Sequence, residues 1–412
     1  MHTSLEVPAL GSDFLTVGRA RRTLLLRSRA GRHYNRHTPK ETTLNRRKLN
    51  FMLSIAALLV LFEAPTRGQA TAQFGEGVPK GLEADYVIHD FHFKSGESLP
   101  ELRMHYVTFG KPERDKSGRV TNAVLALHGT SGSSRSLLNP IFAGVLFAPG
   151  GLLDAERYYV IVPDSIGHGK SSKPSDGLRM KFPHYDYDDM VAAQHELVEK
   201  GLGVDHLRLV MGTSMGCMHS WVWGEMYPDF VDALMPLACE PIEIAGRNRM
   251  FRMMVINAIQ ENPEWKNGDY TAEPQEALRR VADIFVLATS APLQAQKNYP
   301  TRDAADKFLA GAEKQLAAGF DANDLLYAFN ASRHYDPSAQ LEKIQAWVMF
   351  VNSADDFINP PELGIAEREI KHVKNGRFVL IPISEQTHGH GTHTYATVWQ
   401  QYLKELLEES KH

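Results

Sequence analysis

From about residue 85 the chain alternates short apolar runs with longer stretches in which apolar residues recur every three or four positions. Residues 102–109, 123–127 (AVLAL), 158–162 (YYVIV), 207–211 (LRLVM), 233–238 (ALMPLA), 347–351 (WVMFV) and 378–383 read as strands. Most are apolar throughout rather than alternating, which marks strands covered on both faces of a mostly parallel sheet. Residues 187–200 carry apolar positions at helical spacing and stop at Gly201; a second helix is expected from Met215 towards Tyr227, closed by Pro228. Strands separated by helices indicate an α/β class with helices on both faces of a central sheet.

Between about 242 and 340 this rhythm stops, and residues 248–260, 274–287 and 304–318 all read as helix. An all-helical insert between strands of a parallel sheet is best read as a lid over the strand ends, where it shapes a pocket and excludes water. Met250, Phe251, Met253 and Met254 are available there to face inward. The expected organisation is an N-terminal extension at 1–72, a first part of the core at 73–241, the lid at 242–340 and a second part of the core at 341–412.

Charge divides the chain. Residues 1–72 hold 12 Lys/Arg against 4 Asp/Glu, whereas the remainder carries 33 against 45. The acidic body lacks the basic face that a phosphate backbone requires, so nucleic acid is not an expected partner. In the basic head, Arg46, Arg47 and Lys48 precede a 12-residue apolar run at 51–62, and Ala70-Thr71-Ala72 follows as a small-x-small cleavage site. These are the n-, h- and c-regions of an export signal, and NRRKLNF resembles the twin-arginine type with Asn50 at a normally apolar position. The run falls short of the roughly 20 residues that span a bilayer, so no stable membrane anchor is expected and the protein is placed in the periplasm or outside the cell. Cys217 and Cys239 are too few for a disulfide scaffold. Two buried free thiols is the default reading, and pairing stays open for an exported chain because both fall near the strand ends that carry the chemistry.

The strongest chemical signal is Gly212-Thr213-Ser214-Met215-Gly216, a G-x-S-x-G placed directly after the strand LRLVM and at the start of a helix. In that context the turn is so tight that the flanking positions must be small, and it lifts the serine hydroxyl above the sheet. A hydroxyl becomes a competent nucleophile when an imidazole takes its proton and a carboxylate orients the imidazole. The carboxylate should follow the strand at 347–351, where Asp355 and Asp356 compete. The imidazole should follow the last strand, where His388, His390 and His393 stand within six residues. These three could suggest a metal, but no carboxylate or cysteine ligand lies nearby, and no metal or cofactor is implied. Two oxyanion donors are expected: the Met215 amide beside the nucleophile, and the Thr130 amide in the loop after the early strand. The string from Asp164 to Ser171 ends like a phosphate-binding loop, but Asp164 stands where the first glycine belongs, so ATP and GTP are not expected ligands.

Across residues 85–408 the chain resembles the α/β-hydrolase superfamily, and within it the homoserine O-acetyltransferase-like branch. The marks are GTSMGCM at the elbow, AIQENPEWKNGDY in the lid (with Asn262 in place of an aspartate) and NSADDFINPPE. The resemblance implies Ser214, Asp356 and His390 as a catalytic triad: Pro360 stands four residues after Asp356, and glycines flank His390. It also implies that the loop from Asp164 is a structural turn. The transferases carry an arginine implied to grip the amino-acid carboxylate, and its equivalent here is Ile256 or Asn257; Gly212-Thr213 stands where their elbow has two glycines, and Cys217 where it has a further one. An exported enzyme would also lack acetyl-CoA. Hydrolysis of a small acyl ester through an acyl-enzyme is therefore the first expectation. O-acyl transfer on the same triad and a non-catalytic binding protein are the alternatives.

Overall fold

A computed structural model describes residues 70–411. The expected n- and h-regions of the export signal lie outside the described residues.

Nine strands form one sheet in the order β1-β2-β3-β5-β4-β6-β7-β8-β9. The first three, β1 (Ala70–Ala72), β2 (Gly81–His92) and β3 (Ser98–Phe109), are antiparallel. Thus Ala70–Ala72, expected as a cleavage site, forms the short edge strand of the sheet. The other six are β4 (Ala123–Leu127), β5 (Tyr159–Pro163), β6 (Leu209–Thr213), β7 (Ala233–Leu237), β8 (Trp347–Ser353) and β9 (Gly376–Ile381). They run parallel to one another, and β3 joins them through an antiparallel pairing with β5.

The apolar runs are continuous because each strand feeds two cores. Ala123, Leu125 and Leu127 of β4 enter one apolar cluster while Val124 and Ala126 enter the other, and β6 and β8 divide their residues in the same way. Side chains alternate across a strand, so a strand covered on both faces needs apolar residues at every position. Helices α1 (Tyr187–Glu196) and α2 (Met215–Met226) cover one face, and the last helix covers the other with Trp399, Leu403 and Leu406. Helix α1 starts on a capping box in which Asp186 and Asp189 bond each other's backbone amides, and it continues into a π-helical turn at Leu197–Gly201.

Between β7 and β8 lie α3 (Gly246–Gln260), α4 (Gln275–Thr289), α5 (Pro292–Asn298), α6 (Arg302–Gly319) and α7 (Ala322–Asn330). Phe251, Phe285 and Phe329, from three of these helices, pack edge to face with centroids 5.5–5.8 Å apart. The inward direction expected for the lid methionines holds only in part. Phe251 and Met253 pack against the core, but Met250 and Met254 are 62% and 56% exposed. On α3 these two occupy the opposite face, four residues apart.

The two cysteines are joined in a disulfide, which corrects the reading of them as free thiols. Cys217 sits in the first turn of α2 and Cys239 just past the end of β7, and the close packing of that helix against the neighbouring strand brings their Cα atoms to 5.8 Å. Closing a loop with a sequence separation of 22 residues removes unfolded-state entropy worth about 3 kcal/mol. The Cys217→Ser/Cys239→Ser protein is expected to lose stability of that order in denaturant unfolding under oxidising conditions; an unchanged midpoint would show that the bond does not restrain the unfolded chain.

Candidate active site

Ser214 occupies the turn between β6 and α2 with φ 54° and ψ −107°, a backbone region that non-glycine residues seldom enter. The turn closes because its flanks lack side chains. A Cβ on Gly212 would stand 2.1 Å from the Gly216 carbonyl oxygen, and one on Gly216 would stand 2.2 Å from that of Leu127. The Ser214 amide donates to the Leu237 carbonyl at 2.9 Å, which ties the bend to the end of β7.

The sequence-predicted residues meet here. Ser214 Oγ lies 3.0 Å from His390 Nε2, and His390 Nδ1 lies 3.1 and 3.0 Å from the two Asp356 oxygens. Burial alone would raise the Asp356 carboxyl, but the His390 charge and hydrogen bonds from His390 and Asn359 outweigh it and hold the carboxyl below its ordinary value. Such a chain can move a proton from the hydroxyl to the imidazole while the carboxylate fixes the ring.

The competing residues have separate places. Asp355 accepts from Ser353 Oγ and from the Gly389 amide (3.1 Å for the amide), so it holds the loop that carries His390 instead of bonding the ring. His388 stacks on Tyr395 with centroids 3.7 Å apart. His393 meets His390 edge to face at 5.1 Å, and burial together with the neighbouring His390 pushes its imidazole down to about 3, which keeps it neutral. Among the described residues no group of His, Cys, Asp and Glu has the arrangement of a metal site.

Asn359 is a residue that the sequence reading did not single out. Its backbone amide donates to Asp356 Oδ1 at 3.2 Å, and its side-chain amide donates to Asp356 Oδ2 at 3.0 Å and to the Ala238 carbonyl at 3.1 Å. The Ile358 amide adds a further bond to Asp356 at 2.8 Å. The three donors arise because the chain turns back on the carboxylate directly after it, and Pro360 then ends the turn.

Met215 lies in the first turn of α2, where amides have no intrahelical acceptor. The loop from His128 to Ser134 runs beside it, and Thr130 lines the same pocket as Ser214. This loop is anchored by the turn that follows β5. Asp164 accepts from the Ser134 amide at 2.6 Å and the Lys170 amide at 2.8 Å, and His168 Nε2 lies 2.8 Å from the Thr130 carbonyl. His168 Nδ1 lies 2.9 Å from a second carbonyl, that of Ile166. A neutral ring can donate to only one of them. The Asp164–Ser171 segment therefore holds the Thr130 loop with backbone and side-chain bonds.

The pocket over Ser214 has a volume of about 260 Å³ and is walled by Phe251, Arg252, Phe285 and Phe329 from the lid and by Leu137 and Ile358 from the core.

Comparison with known proteins agrees with this architecture. The family model of the alpha/beta hydrolase fold matches residues 122–382. A probable acyltransferase of Methanothermobacter thermautotrophicus is 31% identical over 279 residues, covering 68% of this chain and 84% of that one. A homoserine O-acetyltransferase of Pelobacter propionicus is 29% identical over 335 residues, covering 72% of this chain and 87% of that one. The structure of the acetyl esterase MekB superposes with a TM-score of 0.69 at 25% identity, covering 80% of this chain and 96% of that one.

Two predictions follow from the acid side of the site. Asn359→Ala removes a donor to a charged acceptor, so covalent labelling of Ser214 by a fluorophosphonate is expected to slow by about tenfold or more; an unchanged rate would show that Asn359 does not position Asp356. A carboxyl depressed in the folded state contributes stability that is fully present above its unfolded value, roughly 3.9, and lost as pH falls through the lower folded value. The stability of wild type relative to Asp356→Asn, followed by denaturant unfolding, is expected to fall as the pH drops below about 4. A difference that stayed flat would remove the depressed carboxyl from the account.

Proposed function

The chain belongs to the α/β-hydrolase fold family, in its homoserine O-acetyltransferase-like branch, and from that premise we propose that it hydrolyses small acyl esters through a serine acyl-enzyme. The observation that carries the reading is the unbroken hydrogen-bonded series from Ser214 through His390 to Asp356, in a pocket that the lid walls with Phe251, Arg252, Phe285 and Phe329. Ser214 Oγ attacks the ester carbonyl as His390 Nε2 takes its proton. The Met215 and Thr130 amides receive the oxyanion. His390 returns the proton to the alcohol oxygen as the carbon–oxygen bond breaks, and a water molecule deprotonated by His390 then releases the acid and restores Ser214. Asp356 keeps the ring oriented and stabilises its protonated form throughout.

Transfer to an alcohol is the second reading, favoured by the named acyltransferase relatives. Against it stands the lack of an arginine at Ile256 and Asn257, the two candidates for the position where the resemblance implies a carboxylate grip, and in favour of hydrolysis stands the likeness to an acetyl esterase. The two differ only in what deacylates the serine.

Export is part of the same proposal. It is supported by Arg46-Arg47-Lys48 before the apolar run at 51–62 and by a disulfide, a bond that persists in oxidising compartments. Cell fractionation with N-terminal sequencing tests it: a mature chain beginning near Gln73, with the edge strand β1 removed from the sheet, is expected, and an intact N-terminus in the cytoplasm would overturn it.

Hydrolysis of p-nitrophenyl acetate is expected to fall at least about a thousandfold in Ser214→Ala, with fluorophosphonate labelling lost. Retention of activity would assign the chemistry to another group. In a parallel assay with excess alcohol, release of free acid as the main product supports hydrolysis, and near-complete conversion to a new ester would replace it with acyl transfer.

A further inference from the structure

Among the described residues lining the pocket over Ser214, Arg252 is the one Asp, Glu, Lys or Arg, and it is 3% exposed. Its Nε donates to Asn248 Oδ1 at 3.1 Å and its Nη1 to Ser332 Oγ at 3.0 Å, both neutral acceptors; Nη2 has no partner among the described residues. No carboxylate among them lies within ion-pair distance of it. Arg249, three residues earlier on α3, feels the charges of Arg333 and Arg252, and its Nη1 is buried without a partner among the described residues. Burying a charge is costly unless an opposite charge accompanies it. The protein supplies none here, so the site is built for a ligand that brings its own anion.

The geometry of the reaction assigns this anion to one half of the ester. Four bonds meet at the carbon that Ser214 attacks. One is to Oγ, one to the oxyanion facing Thr130 and Met215, and one to the leaving oxygen, which must lie against His390 Nε2 to receive its proton. The acyl arm takes the remaining part of the pocket, whose lining includes Arg252 of α3 and Phe329 of α7. On the His390 side, Gly391, Thr394 and Thr289 are shared with a second cavity of about 500 Å³. Its walls include Val286, Tyr299, Phe308, Leu316 and Tyr395 and, among the described residues, contain no Asp, Glu, Lys or Arg. Both the volume and the mostly apolar walls suit a small-molecule group.

We propose that the substrates are half-esters, in which the acyl arm ends in a carboxylate received by Arg252 and the alcohol is uncharged, apolar and held between the lid and the His390 loop. This rests on the hydrolytic reading above. The products are the free alcohol and a dicarboxylate, with water supplying the hydroxyl and the proton.

The test uses the full chain and five esters: ethyl acetate, benzyl acetate, monoethyl succinate, monobenzyl succinate and acetoxyacetate, the last with its carboxylate on the alcohol half. Values of kcat/KM are taken by pH-stat and normalised to active sites counted with a fluorophosphonate, so that misfolded variants do not mimic the effect. Monobenzyl succinate is expected to exceed benzyl acetate by at least about tenfold, and that ratio to collapse in Arg252→Met, which removes a charge-assisted bond. The benzyl-to-ethyl ratio is expected to fall about tenfold in Leu316→Trp, which fills the second cavity. A succinate preference that is absent, or that survives Arg252→Met, overturns the proposal. So does acetoxyacetate as the favoured anionic ester, or a benzyl-to-ethyl ratio indifferent to Leu316→Trp. Turnover of the neutral esters in those cases leaves the hydrolytic reading standing; failure to turn over any ester sinks that reading and this proposal with it.

Discussion

A hydroxyl can stand above the end of a buried strand at positive φ only where the backbone on either side is bare. At Ser214 this requirement is met by contacts of β6 and α2 with each other and with β4, so close that even one added carbon at Gly212 or Gly216 would collide with a carbonyl oxygen. Everything else in the site takes its place from this bend. The helix α2 begins there, and Ser214's own amide is used up on Leu237, so the turn is locked to the neighbouring strand. The hydroxyl therefore has a fixed position that the rest of the chain can be built to meet.

The acid and the base come from 142 and 176 residues further along, yet they too are held by the strand ends. Asn359 bridges the Asp356 carboxylate to the Ala238 carbonyl, directly after β7, while Asp355 holds the Gly389 amide and thereby the loop that presents His390. Adjacent aspartates have thus divided the work: one orients the imidazole ring, the other its backbone. On the opposite side, Asp164 and His168 pin the Thr130 loop. The pocket has rigid walls on the core side, and its lid side is made of interlocking aromatic rings from three helices.

The parallel half of the sheet was legible because strands buried on both faces must be apolar at every position, a pattern that helices of the same length do not sustain. All six parallel strands lie within two residues, at either end, of the runs read from the sequence. The strand β2 escaped notice for the converse reason. It lies near the edge of the sheet, is largely half-exposed, and reads GLEADYVIHDFH, with neither a clean alternation nor an apolar run. Triad residues were legible because their types and chain order are constrained by chemistry. The supporting residues were not: nothing in NSADDFINPP marks Asn359 as a donor until the loop is seen to fold back on Asp356, and nothing in a lid helix marks Arg252 as lacking a counter-ion until the whole neighbourhood is assembled. The disulfide was missed as the default for a related reason, since partners separated by a strand and a helix can be judged only once the packing is known.

That bond also bears on the order in which the protein matures. Both sulfurs are sealed in the interior, at 0% and 1% exposure, and one belongs to a helix whose docking the bend at Ser214 dictates. An oxidant must reach them before the core closes, yet the sulfurs approach each other only as α2 settles against β7. Oxidation is thereby confined to the last stages of folding, while the core is nearly assembled and still penetrable.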